Sequence, residues 1–259
     1  MPVDEKVAVI TGGAKGIGRR TAYSLASMGA SIVITYRKSQ KEAKALVQEL
    51  RENYSVKALA IEGDASVEKD CKSLVEVVMD TFGRIDFFIH NAGPYLHERK
   101  SMTEYSSEEW NYMMNGNLNG FFFMTKEIIP HMRKRRWGRI ITLGFDRCET
   151  APGWIYRSAF AAAKSGLTSL TRTLALEEAT NGITVNMVCP GDIVGAWKEA
   201  EIFMAKGEKD ELVPVGRPGT GGDVARVITF LCENQSDFIT GSVIPITGGG
   251  DILGKINKK

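Results

Sequence analysis

A glycine-rich turn near the start of the chain has the composition of a phosphate-binding loop. Gly12, Gly16 and Gly18 follow the apolar run Val7–Ile10 and precede a helical pattern. Glycine permits a positive φ and a close approach of the backbone, and the first N–H groups of a helix bind anions. The spacing differs from the commoner Gly-x-Gly-x-x-Gly fingerprint, so an ordinary tight turn is the alternative. The turn predicts a site for the pyrophosphate of a dinucleotide.

The residues after the second apolar run bear on which dinucleotide would bind. An acid at this point usually binds the ribose 2′-hydroxyl of NAD, whereas a cation suits the 2′-phosphate of NADP. Residues 35–39 contain Arg37 and Lys38 but no acid, and Lys15 lies in the glycine turn. Two unrelated surface cations are the alternative interpretation. Lys15 and Arg37 favour NADP(H) over NAD(H) as the cofactor.

Short apolar runs alternate with helical patterns along the chain. The runs predict seven strands, at residues 7–10, 32–35, 56–61, 87–90, 139–143, 184–188 and 243–246. The helical patterns lie at residues 17–28, 40–52, 67–82, 108–134, 158–179 and 222–233. Such alternation predicts right-handed βαβ units. We expect one α/β domain over residues 1–259: a doubly wound, Rossmann-type, seven-stranded parallel sheet with helices on both faces.

Polar residues and glycines follow the predicted strands, where ligands of such sheets bind. Asp64 follows the third strand, Asn91-Ala92-Gly93 the fourth and Pro190-Gly191 the sixth, while Asn117 lies in the helical pattern after the fourth strand. Together with the glycine turn, these residues resemble the short-chain dehydrogenase/reductase family in order and spacing over about residues 5 to 250. The resemblance is closest to the 3-oxoacyl-acyl-carrier-protein reductases of that family.

The resemblance implies a nicotinamide cofactor and assigns residues to it. Asp64 would contact the adenine, residues 91–93 would support the adenosine end, and Pro190-Gly191 would approach the nicotinamide. The implied cofactor set is Gly12, Lys15, Gly16, Ile17, Gly18, Arg37, Asp64, Ala65, Asn91, Ala92, Gly93, Lys164, Pro190, Gly191 and Ile193. No metal site is implied.

The resemblance also implies a catalytic set, of which this chain keeps half. Family members protonate a carbonyl with a tyrosine and bind its oxygen with a serine, assisted by a lysine four residues after the tyrosine and an asparagine one helix earlier. Asn117 and Lys164 match the asparagine and the lysine. Phe160 and Phe145 stand at the tyrosine and serine positions, and no tyrosine in the sequence precedes a lysine by four residues. The pattern predicts an altered active site.

The two phenylalanines would keep the packing but donate no proton. Losing a positioned general acid costs roughly 10²–10⁴ in rate, and losing an oxyanion donor about 10²–10³. Lys164 could still bind the ribose hydroxyls of the cofactor. Five side chains are candidates for a replacement proton donor or substrate contact, with loop packing or surface solvation as their alternative role: Tyr95, His97, Asp146, Arg147 and Tyr156.

Composition and charge exclude several classes of function. The formal net charge is +2, with 43% hydrophobic and 25% charged residues, so we expect no nucleic-acid partner. There is no signal peptide and no apolar run of membrane length, which predicts a cytoplasmic protein without a membrane partner. The four cysteines, Cys71, Cys148, Cys189 and Cys232, have no metal or redox spacing and are expected to be reduced and structural.

Two functions are consistent with the sequence. One is an NADP(H)-dependent oxidoreductase that acts on a small carbonyl compound or acyl thioester through an altered donor. The other is an NADP(H)-binding relative without turnover, serving as a sensor, scaffold or partner subunit. A different reaction on the same scaffold is a third possibility, and loops 94–108 and 192–217 would determine the substrate. The family resemblance further implies a homo-oligomer, a tetramer, formed through helices 108–134 and 158–179.

Overall fold

Seven parallel strands form one sheet in the computed structural model, which describes residues 5–251 and residue 253. The strands are β1 Val7–Ile10, β2 Ser31–Tyr36, β3 Ala58–Glu62, β4 Phe87–His90, β5 Gly138–Leu143, β6 Ile183–Pro190 and β7 Val243–Ile246. Their order across the sheet is β3-β2-β1-β4-β5-β6-β7. The predicted seven-stranded, doubly wound sheet is confirmed.

Helices cover both faces of this sheet. They are α1 Gly16–Ala26, α2 Gln40–Tyr54, α3 Glu68–Phe82, α4 Ser107–Met114, α5 Gly120–Arg135, α6 Ser158–Glu178 and α7 Gly221–Cys232. Side chains alternate along each strand, so Ala8 and Ile10 pack with α1, α2 and α7, while Val7 and Val9 pack with α3, α5 and α6. Two apolar cores, one on each face, hold the strand ends in fixed positions.

The reversal of strand order between β1 and β4 places the glycine turn at a crevice. From β1 the chain winds outward to β3 and then crosses back to β4 on the other side of β1. The loops after β1 and β4 therefore diverge to opposite sides, which leaves space beyond the carboxyl ends of the central strands. The predicted site residues on these loops face this space from both sides.

The predicted helix 108–134 is interrupted at a point that no residue pattern marks. Between α4 and α5 the backbone widens into one π-helical turn, Asn115–Asn119. Pro94 packs directly on Gly116 in this turn, where any side chain would overlap the proline ring. Widened turns of this kind are frequent at functional sites, and this one contains Asn117.

Strand β6 is longer than predicted. It continues to Pro190, which pairs with Ile246 of β7. Proline is tolerated there because Pro190 lies beyond Val188, where the pairing with β5 ends, so its missing N–H interrupts no ladder with β5. Among the described residues, no helix combines the length and the hydrophobicity needed to cross a membrane.

Candidate functional site

The glycine turn and the loop after β4 are joined by hydrogen bonds. The hydroxyl of Thr11 accepts from the backbone N–H groups of Asn91 and Ala92, at 3.1 and 3.0 Å. The side-chain amide of Asn91 donates to the carbonyls of Thr11 and Gly12, both at 3.0 Å. The Cα of Gly18 lies so near this amide that a Cβ would approach it to 2.6 Å. The two loops consequently form one rigid wall of the crevice.

A cavity of about 290 Å³ lies against this wall. It brings together seven of the predicted cofactor residues: Gly12, Arg37, Asp64, Ala65, Asn91, Ala92 and Gly93. Gly12 has φ +62°, and a Cβ at this position would press on Ala92, so the turn needs glycine. Seven further residues line the cavity that the sequence did not single out: Thr35, Tyr36, Gly63, Ser66, Pro94, Tyr112 and Gly116.

Arg37 spans the cavity between two elements. Its guanidinium donates to the Asp64 carboxylate at 3.2 Å and to the Tyr112 hydroxyl at 3.0 Å. These two hydrogen bonds raise the pKa of Arg37, and the bond to Tyr112 has the larger effect. Burial alone would raise the pKa of Asp64, but hydrogen bonds from Ser66 and Arg37 outweigh it and leave that pKa lowered. Arg37 and Asp64 are therefore both charged in the neutral range.

Tyr112 is the member of this group that sequence reasoning missed. It lies on α4, far along the chain from the glycine turn, and reaches the cavity only because α4 packs beside the loop after β4. Its exposed ring also lies 5.6 Å from the Arg37 guanidinium. No short-range pattern in the sequence marks Tyr112, because its place at the cavity depends on the packing of α4.

The other predicted cation, Lys15, lies apart from the cavity lining. Its ammonium group forms an exposed ion pair of 2.7 Å with Glu42 of α2. Exposed pairs of this kind contribute little energy, so Lys15 is free to exchange Glu42 for another anion. Arg37 rather than Lys15 is the cation positioned at the cavity.

The N-terminus of α1 is occupied by a carboxylate of the same chain. The backbone N–H of Gly16 donates to Glu199 Oε1 at 2.8 Å, and Arg19 lies 3.8 Å from the other oxygen of that carboxylate. Gly16 has φ +62°, a backbone conformation that favours glycine. Helix N-termini attract anions in general, and here that anion is the carboxylate of Glu199.

Removing this carboxylate should tighten the binding of a dinucleotide. In Glu199→Ala, the Gly16 N–H has no anion to exchange, and because Glu199 is partly exposed we expect NADPH to bind about 3- to 10-fold more tightly. Fluorescence titration of NADPH measures the change. Glu201→Ala is the matched control, since Glu201 pairs with Arg20 rather than with the glycine turn. Equal NADPH affinities in Glu199→Ala and the wild type would contradict the proposal that the cofactor displaces the Glu199 carboxylate from the Gly16 N–H.

Asn117 is buried at the centre of the π turn and faces Gly93. Its side-chain amide donates to the carbonyls of Pro94 and Met113, at 2.9 and 3.0 Å. Its buried Oδ1 has no hydrogen-bond partner among the described residues. That oxygen lies against Gly93, where a Cβ would overlap it. A buried amide oxygen of this kind needs a donor, and the ammonium group of Lys164 lies near the same position at Gly93.

Lys164 approaches the same space from α6. Its Nζ donates to the Leu143 carbonyl at 2.8 Å and would lie 3.5 Å from a Cβ at Gly93. Burial lowers the pKa of Lys164 to about 8. Burial and the nearby charge of Lys164 lower the pKa of His90 to about 3, so this histidine is neutral. The structure thus brings Asn117 and Lys164 together around Gly93.

An aromatic cluster fills the space next to Lys164. The ring of buried Phe145 lies 5.0 Å from that of Trp154 and 5.9 Å from that of Phe160. Tyr95 packs edge-on against Phe160 at 5.0 Å, and Lys164 Nζ lies 5.7 Å from the Phe160 ring. These four rings, Phe145, Trp154, Phe160 and Tyr95, are called the aromatic cluster below. Trp154 was another residue that sequence reasoning missed.

The five candidate replacement donors differ in how close they lie to this cluster. Tyr95 belongs to it, and His97 packs against Tyr95 at 5.1 Å. Arg157 donates to the Tyr95 hydroxyl at 2.6 Å. The remaining candidates lie in the loop between β5 and α6, where Arg147 pairs with Asp251, Asp146 is buried and Tyr156 has a positive φ of 64°. Among the five, Tyr95 has its ring in direct contact with Phe160.

Two further predicted cofactor residues line a second, smaller cavity. Gly191 and Ile193 border a space of about 100 Å³ together with Arg217 and Asp223, which pair at 2.7 Å. Gly191 donates to the Ile246 carbonyl at 2.8 Å, and a Cβ there would meet Thr247. The chain after β6 is thereby fixed against the end of β7, at the margin of the crevice.

Comparison with known proteins agrees with this geometry. A family model described as "Enoyl-(Acyl carrier protein) reductase" matches residues 12–250. "Putative oxidoreductase YtkK" of Bacillus subtilis is 48% identical over 249 residues, which cover 96% of this chain and 97% of that protein. "3-oxoacyl-(acyl-carrier-protein) reductase FabG" of Staphylococcus epidermidis is 32% identical over 244 residues, covering 94% and 98%.

A solved structure shares the fold along its whole length. It is described as a "putative 3-oxoacyl-reductase" from Bacillus thuringiensis, and it superposes with a TM-score of 0.89 at 46% identity, covering 96% of this chain and 99% of that one. The sheet together with these matches indicates an oxidoreductase with a Rossmann-type fold. The chain belongs to the short-chain dehydrogenase/reductase family, and within it resembles the 3-oxoacyl-acyl-carrier-protein reductases. Membership of this family implies a nicotinamide cofactor.

Proposed function

We propose that the protein binds NADP(H) and has lost the hydroxyl pair with which related reductases protonate a carbonyl. The observation that carries the proposal is the aromatic cluster: Phe145 and Phe160 pack beside Lys164 at the place where the family resemblance puts a serine and a tyrosine. Phenyl rings neither donate a proton nor bind an oxyanion. Cofactor binding is retained, and reduction of 3-oxoacyl thioesters by the usual donor pair is not.

The residues of the crevice fit such a cofactor. The glycine turn and the Gly16 N–H suit a pyrophosphate. Arg37 has five N–H donors and uses two of them on Asp64 and Tyr112, so three are left for a 2′-phosphate. The unpartnered Oδ1 of Asn117 and the ammonium group of Lys164 face one space beside Gly93, which suits ribose hydroxyls and water.

The chain's own residues determine what chemistry can follow. A bound reduced nicotinamide would supply a hydride. Lys164 would hold the ribose through its charge, and the aromatic cluster would exclude water from the space next to it. A carbonyl that accepted a hydride there would be left as an alkoxide facing Phe145 and Phe160, with no proton from either. We therefore expect turnover to be slow or absent.

A second candidate is reduction with Tyr95 as the proton donor. Tyr95 is in edge-on contact with Phe160, and the guanidinium of Arg157 lies against its hydroxyl oxygen. The Tyr95 hydroxyl accepts a hydrogen bond from this guanidinium through its oxygen and keeps its own proton as a donor. This arrangement supports an oxidoreductase with an altered donor, acting on a small carbonyl compound or an acyl thioester.

The consumption of NADPH against a panel of aldehydes, ketones and 3-oxoacyl thioesters decides between the two. If the wild type consumes no NADPH but binds it saturably, the result would support a cofactor-binding protein that does not catalyse reduction. Turnover that falls in Tyr95→Phe but persists in Tyr156→Phe would support the altered donor. Absence of NADPH binding in the same preparation would overturn the proposal as a whole.

The charge of Lys164 should make cofactor affinity depend on pH. Its pKa of about 8 means that the ammonium group loses its proton as the pH rises through 8, so NADPH affinity should fall by up to about 10-fold for each pH unit above that value. Titrations at pH 7 and pH 9 measure this. In Lys164→Met, which keeps the length but not the charge, affinity should be weaker at pH 7 and show no such fall; a parallel pH profile in both proteins would contradict the role.

We further propose that the chain forms a homo-oligomer, a tetramer, through α5 and α6. Both helices present large apolar side chains to solvent, Phe122 of α5 at 49% exposure and Leu176 of α6 at 82%. Burying such surfaces is favourable. Multi-angle light scattering should give four times the mass of one chain, whereas Leu176→Lys should reduce it; a monomeric wild type would contradict the assignment.

A further inference from the structure

Two of the four cysteines meet in the folded chain. Cys148 follows β5 and Cys189 is the penultimate residue of β6, and their Sγ atoms lie 3.5 Å apart although 41 residues separate them in the sequence. Both side chains are buried, and all four cysteines are free thiols. A separation of 3.5 Å is contact distance for two sulfur atoms, so only a small local movement is needed to join them.

The surroundings hold the two thiols in place. Cys148 Sγ also lies 3.4 Å from Met187 Sδ and 3.3 Å from the hydroxyl of Thr168. The three sulfur atoms close around Gly144, where a Cβ would lie 2.6–2.8 Å from each of them. The absence of a side chain at Gly144, the residue before Phe145, therefore allows the three sulfur atoms to converge.

We propose that Cys148 and Cys189 form a reversible disulfide when the protein meets a peroxide. The Cys148 thiolate attacks one peroxide oxygen, the O–O bond breaks, and Cys148 becomes a sulfenic acid while the other oxygen leaves as water. The sulfur of Cys189 then displaces the hydroxyl group of the sulfenic acid, which leaves as a second water. Two thiol hydrogens and one peroxide are consumed, two waters form, and the peroxide is the species reduced.

The two thiols are unequal, which assigns their order. The hydrogen bond with Cys189 lowers the pKa of Cys148, while the same contact together with burial raises the pKa of Cys189. Cys148 lies in the turn after β5, whereas Cys189 lies in a strand, so Cys148 is the thiol that can move to meet a peroxide and attack it. It also has the shorter route to solvent, because its neighbours Arg147, Thr150 and Ala151 are exposed. Cys189, in a strand paired on both sides, acts as the resolving thiol.

The bond would move the aromatic cluster. A disulfide needs about 2.05 Å between its sulfur atoms, so the 3.5 Å separation must shrink. Strand β6 is held by β5 and β7, so the movement falls on the turn from Phe145 to Cys148. Phe145 contacts Trp154, and oxidation should therefore be visible in tryptophan fluorescence.

The bridge is tested on the whole, folded chain with hydrogen peroxide, without any nucleotide. After treatment, unfolding and alkylation, the intact mass should correspond to two alkylated cysteines and to a bridge that removes two hydrogens. Proteolysis should give one peptide pair that links Cys148 to Cys189 and that is absent after dithiothreitol. Cys148→Ala and Cys189→Ala should not form it. Cys71→Ala and Cys232→Ala are matched controls that should form it as fully as the wild type.

Alkylation of all four cysteines in peroxide-treated wild type, or linkage through Cys71 or Cys232, would overturn the proposal, and neither result depends on the variants folding. A change in tryptophan emission that follows the bridge and reverses with dithiothreitol would support the movement of Phe145. A bridge that forms with unchanged emission would overturn that movement. The bridge forms or fails whether or not the chain binds NADP(H).

Discussion

Restoring the two hydroxyls should create reductase activity. In the double variant Phe145→Ser with Phe160→Tyr, NADPH-dependent reduction of a 3-oxoacyl thioester should exceed that of the wild type by about 10²-fold or more. The phenol introduced by Phe160→Tyr would stand four residues before Lys164, on the same face of α6, in a ring position already 5.7 Å from the ammonium group. The decrease in NADPH absorbance measures the rate.

The two substitutions have unequal structural costs. Phe160 is half-buried, so the added oxygen of Phe160→Tyr can reach solvent or Lys164, and this single variant should fold. Phe145 is 4% exposed, and replacing its ring with serine leaves a cavity that costs on the order of 3–5 kcal/mol. Thermal unfolding of each variant shows whether the double variant is folded under the assay conditions.

Phe160→Tyr alone keeps the prediction testable if the double variant unfolds. It restores the general acid and should already raise the rate, by roughly 10-fold or more. Phe123→Tyr, a ring on α5 outside the aromatic cluster, is the matched control and should change nothing. A folded double variant no faster than the wild type would contradict the proposal that the loss of these hydroxyls disables the site.

Removing the guanidinium of Arg37 should abolish the preference for NADPH. In Arg37→Ala, the affinity for NADPH should fall about 10- to 30-fold, because a charge-assisted contact to phosphate contributes roughly 1.5–3 kcal/mol and Arg37 is half-exposed. The affinity for NADH, which has no 2′-phosphate, should change by less than about 2-fold. Isothermal titration with both cofactors measures the ratio.

Two control variants separate Arg37 from general surface charge. Lys38→Ala removes the adjacent exposed cation and should leave both affinities unchanged. Lys15→Ala should have a smaller effect than Arg37→Ala, because Lys15 pairs with Glu42 and lies apart from the cavity lining. A similar loss for NADH and NADPH in Arg37→Ala would contradict a phosphate contact and would instead implicate the hydrogen bonds to Asp64 and Tyr112.

The sheet and half of the residues that line the larger cavity were predictable from the sequence for a local reason. Strands buried on both faces of a parallel sheet are continuous apolar runs, so β1 and β4 were placed with their observed ends. Ligand-binding residues of such sheets follow the strands directly. Gly12, Asp64 and Asn91 could therefore be assigned to one crevice, and they line one cavity.

Residues on helices far from the strand ends could not be assigned in this way. Tyr112 and Trp154 reach the site through the packing of α4 and of the loop before α6, and no short-range pattern encodes such packing. The widened turn at Asn115–Asn119 was invisible for the same reason: a π turn adds one residue between α4 and α5 without changing the helical composition.

The sequence by itself determined the residue types at each position: glycine at the turn, arginine after β2, and phenylalanine at the two places where the family resemblance expects hydroxyls. Only the tertiary structure decided which of these groups meet. It paired Glu199 with the N–H of Gly16, placed Arg37 between Asp64 and Tyr112, and brought Cys148 within 3.5 Å of Cys189. The physical reason is that a contact between distant segments depends on where the sheet and helices place their backbones, which is set by the packing of the whole core rather than by the neighbouring residues in the chain.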